Sequence, residues 1–323
     1  MSEPYPLRFI PHYEQRLWGG EKFKTHLNKD IQGNQYGESW EISVLKGKAS
    51  VVQNGTLKGT SLPQLIAENP KEILGLSVLE KCGPEFPLLI KFIDAKLPLS
   101  VQVHPDDQLA KERHRSTGKT EMWYIMDADP GSELVLGFKE SIKASEYKSL
   151  LNSVEIEKSL HKEKVKVGDV IHVPAGLVHG IGKGILLAEI QQSSDITYRV
   201  YDYDRVDKAT GVPRVLHKEL AESALDVTLQ NEAKVSYTNK VNQANLLVDS
   251  PYFMTSLFEM DGGKVVESKT QNSFIVLIGI EGNCVLIHEN ISYSLAKGTT
   301  LLLPANLGHY QLKGKGKLLE VQL

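Results

Sequence analysis

Two imidazoles, a carboxylate and a side-chain amide are spaced in this sequence so that they could share one cation. Gln102 and His104 fall two apart in Leu99-Ser100-Val101-Gln102-Val103-His104-Pro105-Asp106-Asp107. In an extended chain, side chains alternate between faces, so Ser100, Gln102 and His104 share one face and Leu99, Val101 and Val103 the other. Polar side chains turned inward are costly unless something satisfies them, and a metal held by Gln102 and His104 would do so. Glu121 opens a second strand pattern in Gly118-Lys119-Thr120-Glu121-Met122-Trp123-Tyr124, and His179 follows a Pro174-Ala175 turn. Two nitrogens, one carboxylate and one amide oxygen suit Zn²⁺, with room for water or a substrate oxygen. With a single anionic ligand the ion keeps net positive charge and acts as a Lewis acid. Three cations accompany this set. Lys91 sits inside the apolar run Leu88-Leu89-Ile90-Lys91-Phe92-Ile93, Lys119 lies two residues before Glu121, and Arg199 lies in Thr197-Tyr198-Arg199-Val200-Tyr201-Asp202-Tyr203-Asp204-Arg205. A lysine within an apolar run snorkels or pairs, and one pointing inward is available to an anionic substrate.

Such a cluster needs strands to hold it. Strand patterns occur at Lys164 to His172, with a turn at Gly168-Asp169, and at Ile185 to Gln191, Phe274 to Leu277 and Thr300 to Leu303. Gly, Pro and Asn punctuate them at short intervals, which argues for antiparallel sheets. Helical spacing is confined to Ser61 to Val78, split by Pro70, to Ser141 to Leu160, and to Val215 to Leu225. An internal repeat is visible. Gly168 through His179 reads as a Gly turn, an apolar strand, a Pro-Ala turn and a His, and Gly298 through His309 repeats this 130 residues later. The fold expected is mainly β: two cupin-type jelly-roll β-barrel units with a small helical insertion in the first. Residues 1–240 would form the catalytic unit and 241–323 a C-terminal unit without metal. His309 has no Gln-x-His strand near it and is expected to be structural.

The length of 323 residues suits about two domains. With 37 Lys and Arg against 40 Asp and Glu, the formal net charge is −3, which argues against a polycationic nucleic-acid binder. Two distant cysteines, Cys82 and Cys284, build no disulfide framework and fit a reducing compartment. The N-terminus lacks a basic stretch followed by an apolar one, and no apolar run approaches the ~20 residues of a membrane span. A cytoplasmic protein is expected, with no nucleic-acid or membrane partner.

Several segments together resemble one family. Arg16-Leu17-Trp18-Gly19-Gly20, Tyr36-Gly37-Glu38-Ser39-Trp40-Glu41-Ile42-Ser43, Pro87 to Asp107, Gly118 to Tyr124, Pro174 to Gly180 and Tyr198 to Arg205 run in the order of the type I mannose-6-phosphate isomerases, in their short bacterial form. The likeness is looser in the C-terminal unit. It implies one zinc per chain, bound by Gln102, His104, Glu121 and His179, and an active-site arginine at Arg199. It also places Lys91 and Ser100 as phosphate contacts, Lys119 near the sugar oxygens, and Trp18, Glu38 and Trp40 in the pocket wall. Longer relatives insert a helical domain before the His179 segment, reduced here to about one helix.

The activity implied is the aldose–ketose interconversion of mannose 6-phosphate and fructose 6-phosphate, by proton transfer through an enediol. The base stays open among a metal-bound hydroxide, His104, Glu189 and Lys119 with a depressed pKa. The partner expected is a small phosphosugar, and the protein a monomer or homodimer. Two other classes remain: a cupin oxygenase with two His and a carboxylate on iron, and a non-catalytic sugar-binding cupin. The first leaves Lys91, Lys119 and Arg199 without a purpose; the second leaves the ligand set and Arg199 without one.

Overall fold

The computed structural model describes residues 3–140, 142–151, 156–206, 211–226 and 233–323. Two antiparallel sheets make up the first unit. The larger runs, in spatial order, Lys234–Val235, Val170–Val173, Glu121–Ala128, Ile185–Gln192, Leu88–Ala95, His12–Gly20 and Tyr36–Ile42. The smaller runs Tyr198–Tyr201, Val101–Val103, His179–Ile181, Glu133–Phe138 and Leu160–Lys164. They stack as an open jelly-roll sandwich and do not close into one continuous barrel. Their shared interior holds Ile93, Trp123, Ile125, Ile171 and Leu187 from one sheet against Leu134, Leu136 and Ile181 from the other.

The two central strands of the larger sheet are buried on both faces. Every residue of Leu88–Ala95 and of Ile185–Gln192 is buried. Their alternate side chains Ile90, Phe92, Leu186, Ala188 and Ile190 turn away from the sandwich, into a second core. There they meet Leu257, Phe274, Val276, Ile278, Leu302 and Val321 of the C-terminal unit, and Leu62, Leu65 and Leu74 of the helices. That explains why apolar residues fill consecutive positions in both strands, with Lys91, Asp94 and Glu189 as the charged exceptions. The core therefore continues across the 240/241 boundary. The N-terminal segment also crosses it, because Leu7 exchanges both backbone hydrogen bonds with Leu302.

The repeat is structural. Gly168 and Gly298 both adopt positive φ, +91° and +84°. Val170–Val173 then pairs with Glu121–Ala128, as Thr300–Leu303 pairs with Ile275–His288. His179 and His309 each open the next strand. Val173 faces Glu121 in the first unit; the equivalent Leu303 faces Ile275 in the second.

Two sequence-based boundaries need correction. The stretch from Ser61 forms three short helices, Leu62–Glu68, Pro70–Leu74 and Leu76–Cys82, broken by Pro70 and by Gly75 at φ +88°. The helix expected over Ser141 to Leu160 is Ala144–Leu151 and Ile156–Ser159, while Leu160 opens a strand on Glu133–Phe138; residues 141 and 152–155 lie outside the described residues. Lys164 to His172 is the end of one strand and most of another, divided by the turn expected at Gly168-Asp169. Val215 to Leu225 contains the helix Lys218–Ala224. Among the described residues, no helix is long and apolar enough to cross a membrane.

Candidate metal centre and active-site cleft

Strand register brings the polar residues into two facing rows. On the larger sheet Trp40 lies opposite Lys91, Lys91 opposite Glu189, and Glu189 opposite Trp123. On the smaller sheet Arg199 and His179 both lie opposite Gln102. Residues far apart in sequence thus share one concavity, because neighbouring strands lie only about 5 Å apart.

At the inner end of the concavity, one ligand atom each from His104, Glu121 and His179 lie within 4.8 Å of one another. All three residues are buried. His104 Nδ1 bonds to Ile196 O at 2.9 Å and His179 Nδ1 to Leu177 O at 2.8 Å. A carbonyl oxygen only accepts, so each ring carries its proton on Nδ1 and turns a bare Nε2 toward Glu121. The Nε2 atoms lie 3.5 and 3.4 Å from Glu121 Oε2 and Oε1. Gln102 reaches the same point, its amide nitrogen 3.2 Å from His179 Nε2. Turning that amide over would present its oxygen instead.

Glu121 tests whether this set fits a cation. Its carboxylate is fully buried and neither oxygen accepts a hydrogen bond. Lys119 Nζ lies 2.7 Å from Oε2, an ion pair set off the hydrogen-bonding direction, and 3.1 Å from His104 Nε2. A buried carboxylate with open lone pairs, flanked by two Nε2 donors whose far nitrogens are tied to the backbone, matches a divalent-metal site.

The protonation states agree with this. Burial, then the Lys119 charge, pulls His104 down to about 3. Burial likewise lowers His179. Burial pushes Glu121 up, but Lys119 and the imidazoles outweigh it and hold the carboxyl well below its usual range. Neutral imidazoles beside an ionised carboxylate are the forms a metal requires. For Lys119, burial favours the neutral amine, yet Glu121 and Glu189 prevail and raise its pKa. The ammonium is therefore stabilised, contrary to the depressed lysine considered from sequence.

A cleft of about 960 Å³ opens onto this centre through Gln102 and Lys119. Trp18, Glu38, Trp40, Lys91, Ser100 and Arg199 also line it. All eleven residues expected from sequence therefore lie in the cleft or directly behind it. Lys91 is not a free cation: it sits 3.3 Å from Glu189 Oε1 and 4.9 Å from the Trp40 ring centroid. Trp40 donates to Glu38 at 2.7 Å, and Arg16 grips both Glu38 oxygens at 3.0 and 3.2 Å. Burial raises the Glu38 pKa, but Lys91 and Arg16 outweigh it and hold it at about 2. Trp123 donates to Glu189 Oε2 at 3.1 Å. Burial, then the charge of Glu121, raises the Glu189 pKa. Arg199 donates to Ser100 Oγ at 3.3 Å and to Val215 O at 2.8 Å, and pairs with no carboxylate among the described residues.

Sequence reading assigned no role to Arg16, Lys48, Arg205 or Arg214, all of which line the cleft. Arg205 and Arg214 share the Asp202 carboxylate. Arg16 and Arg205 lay inside noticed motifs; Lys48 and Arg214 carried no local signal, since only folding brings them to the cleft.

Residues 7–149 match the family model of the phosphomannose isomerase type I catalytic domain, and residues 242–323 that of the mannose-6-phosphate isomerase cupin domain. The chain is 37% identical to the mannose-6-phosphate isomerase ManA of Bacillus subtilis, over 96% of each chain. It is 36% identical to a mannose-6-phosphate isomerase of Streptococcus mutans, over 97% of this chain and 96% of that one. The crystal structure of the mannose 6-phosphate isomerase from Bacillus subtilis superimposes with a TM-score of 0.89 at 33% identity, covering 98% of this chain and 99% of that one.

Proposed function

The chain belongs to the type I phosphomannose isomerase family, and from that premise we propose that it interconverts mannose 6-phosphate and fructose 6-phosphate at the cleft. The observation that carries this reading is the meeting of His104 Nε2, His179 Nε2 and an orphaned Glu121 carboxylate at the inner end of a cation-lined cleft.

We assign His104, Glu121 and His179 as ligands of a zinc ion, with Gln102 as the fourth. When bound, the ion supplies Lewis-acid polarisation of the sugar oxygens. The remaining work falls to side chains of the cleft. Isomerisation removes the proton on C2 of the aldose and returns one to C1. Glu189 is the base that geometry favours. It lines the cleft, its Oε1 accepts no hydrogen bond, and its raised pKa brings it toward working pH. His104 is tied up by Ile196 O on Nδ1 and by Lys119 on Nε2, and Lys119 is held as its ammonium. As Glu189 takes the C2 proton, the C2–H electron pair forms the C1–C2 double bond and the C1=O π pair moves onto O1, which takes up a proton to give the enediol; O2 then gives up its proton as the C2 carbonyl forms, and Glu189 returns its proton to C1. Lys119 and Arg199, both cationic, face the oxygens on which negative charge develops. Lys91 and Ser100 complete the site: Ser100 aims Arg199, and Lys91 keeps Glu189 partly ionised while its ammonium attracts the phosphosugar. Trp18, Glu38 and Trp40 form the cleft wall, in which the Trp40 ring and the Glu38 charge face Lys91. We place the catalytic unit within residues 1–240 and the supporting unit in 241–323.

Metal analysis paired with an assay coupled to fructose 6-phosphate formation tests the proposal. Purified protein should carry about one zinc per chain, lose activity on chelation and regain it on zinc addition. Full activity in the chelated, metal-free protein overturns the assignment.

A further inference from the structure

A second cavity, of about 820 Å³, lies against the segment that carries Lys119 but is reached from Ser116 and Thr117 instead of from the cleft. Lys46, Lys81, Lys111 and Arg115 line it. Among the described residues none of these four side chains has a hydrogen bond or ion pair. The contrast with the cleft is sharp, where Arg16, Lys91, Lys119, Arg205 and Arg214 each hold a carboxylate. Against the four cations stand two carboxylates, Glu85 and Asp107, which leaves a net charge of +2 on the lining. Asp107 faces inward work: it accepts from Gly118 N at 2.8 Å and from Gln192 Nε2 at 2.9 Å. Gln192 Oε1 in turn accepts from Thr120 N at 2.8 Å. The inner wall is thus hydrogen-bonded to the residues on each side of Lys119. Pro84, Pro87, Pro251 and Tyr252 add ring surfaces to the same lining.

Unpaired like charges around a concavity focus a positive potential in it. Apolar rings beside them suit a planar heterocycle. We propose that this cavity is a second binding site, for a nucleoside diphosphate, with the diphosphate on Lys46, Lys81, Lys111 and Arg115 and the base against Tyr252 and the prolines. Occupancy is expected to alter turnover through Asp107 and Gln192. Binding itself stands independently of the isomerase reading.

Cys82 reports on the site directly. It lines the cavity and is exposed, whereas Cys284, the other cysteine, is buried. Alkylation of Cys82 by iodoacetamide, followed by mass spectrometry, is measured on the zinc-loaded protein with fructose 6-phosphate saturating the cleft. ADP should slow the reaction several-fold, and inorganic pyrophosphate should need roughly tenfold more, the factor that 1.4 kcal/mol of base contact supplies. Lys46→Gln with Lys111→Gln should abolish protection while basal turnover is unchanged; Lys46→Ala with Lys111→Ala is the second variant should the first not fold. Absence of protection by ADP, or undiminished protection in the variants, overturns the site. Equal potency of pyrophosphate overturns the recognition of a nucleoside.

Discussion

Replacing Glu121 by Gln keeps the shape of the metal centre and removes only its charge. In the chelated protein this leaves the Lys119 ammonium, 4% exposed, without the carboxylate 2.7 Å away. Breaking one partner out of a buried ion pair costs about 3–5 kcal/mol, because the other charge stays desolvated and uncompensated. The double variant Lys119→Met with Glu121→Gln removes both charges, so it should recover most of that loss. Zinc separates the two effects. Metal present at 1,000 times its dissociation constant stabilises the folded protein by about 4 kcal/mol. Wild type should show that gain; both variants should lack it. The assay is chemical denaturation in chelator and in excess zinc, with metal content measured in parallel. The reasoning fails if Glu121→Gln retains one zinc per chain with the wild-type stabilisation. It fails equally if the double variant in chelator is as unstable as the single one.

Arg199→Ala should lower kcat by about 10² or more while zinc content stays normal, since Arg199 lines the cleft but lies outside the ligand set; unchanged turnover removes it from the reaction. Lys91→Met removes a cation that holds the Glu189 pKa down. A base must be ionised to act, so the acid limb of kcat/KM should move to higher pH, and an unmoved limb excludes Glu189 as the base. Asp94 is buried, with its Oδ1 lacking a partner, and burial raises its pKa from 3.8 to about 6. The folded state therefore holds this proton more tightly than the unfolded chain, so the contribution is fully present below pH ~4 and is lost as pH rises through ~6, by at most about 3 kcal/mol. Asp94→Asn, which can still accept from Lys22 N, should show a Tm advantage over wild type that grows between pH 5 and pH 8; an advantage independent of pH refutes the linkage.

The alternation of Ser100, Gln102 and His104, the repeat from Gly168 and the motifs around Trp18, Glu38 and Trp40 were all legible in the sequence. So was the class of fold. These are local features: side-chain period, turn chemistry and residue identity are set by neighbours along the chain. What the sequence left unsettled was set by contacts between distant segments. No pattern shows that Lys91 lies across from Glu189 and against Trp40. The protonation of Lys119 was open for the same reason, since it depends on Glu121 and Glu189 approaching from other strands. Lys48 and Arg214 join the cleft without any motif. Leu160 joins a strand in place of a helix because the free edge of Glu133–Phe138 offers it backbone partners. The sequence alone thus specified which chemical groups were present and how each strand faces. Their distances, charge states and solvent exclusion came from strand register, because electrostatic and hydrogen-bond energies depend on separations that only packing determines.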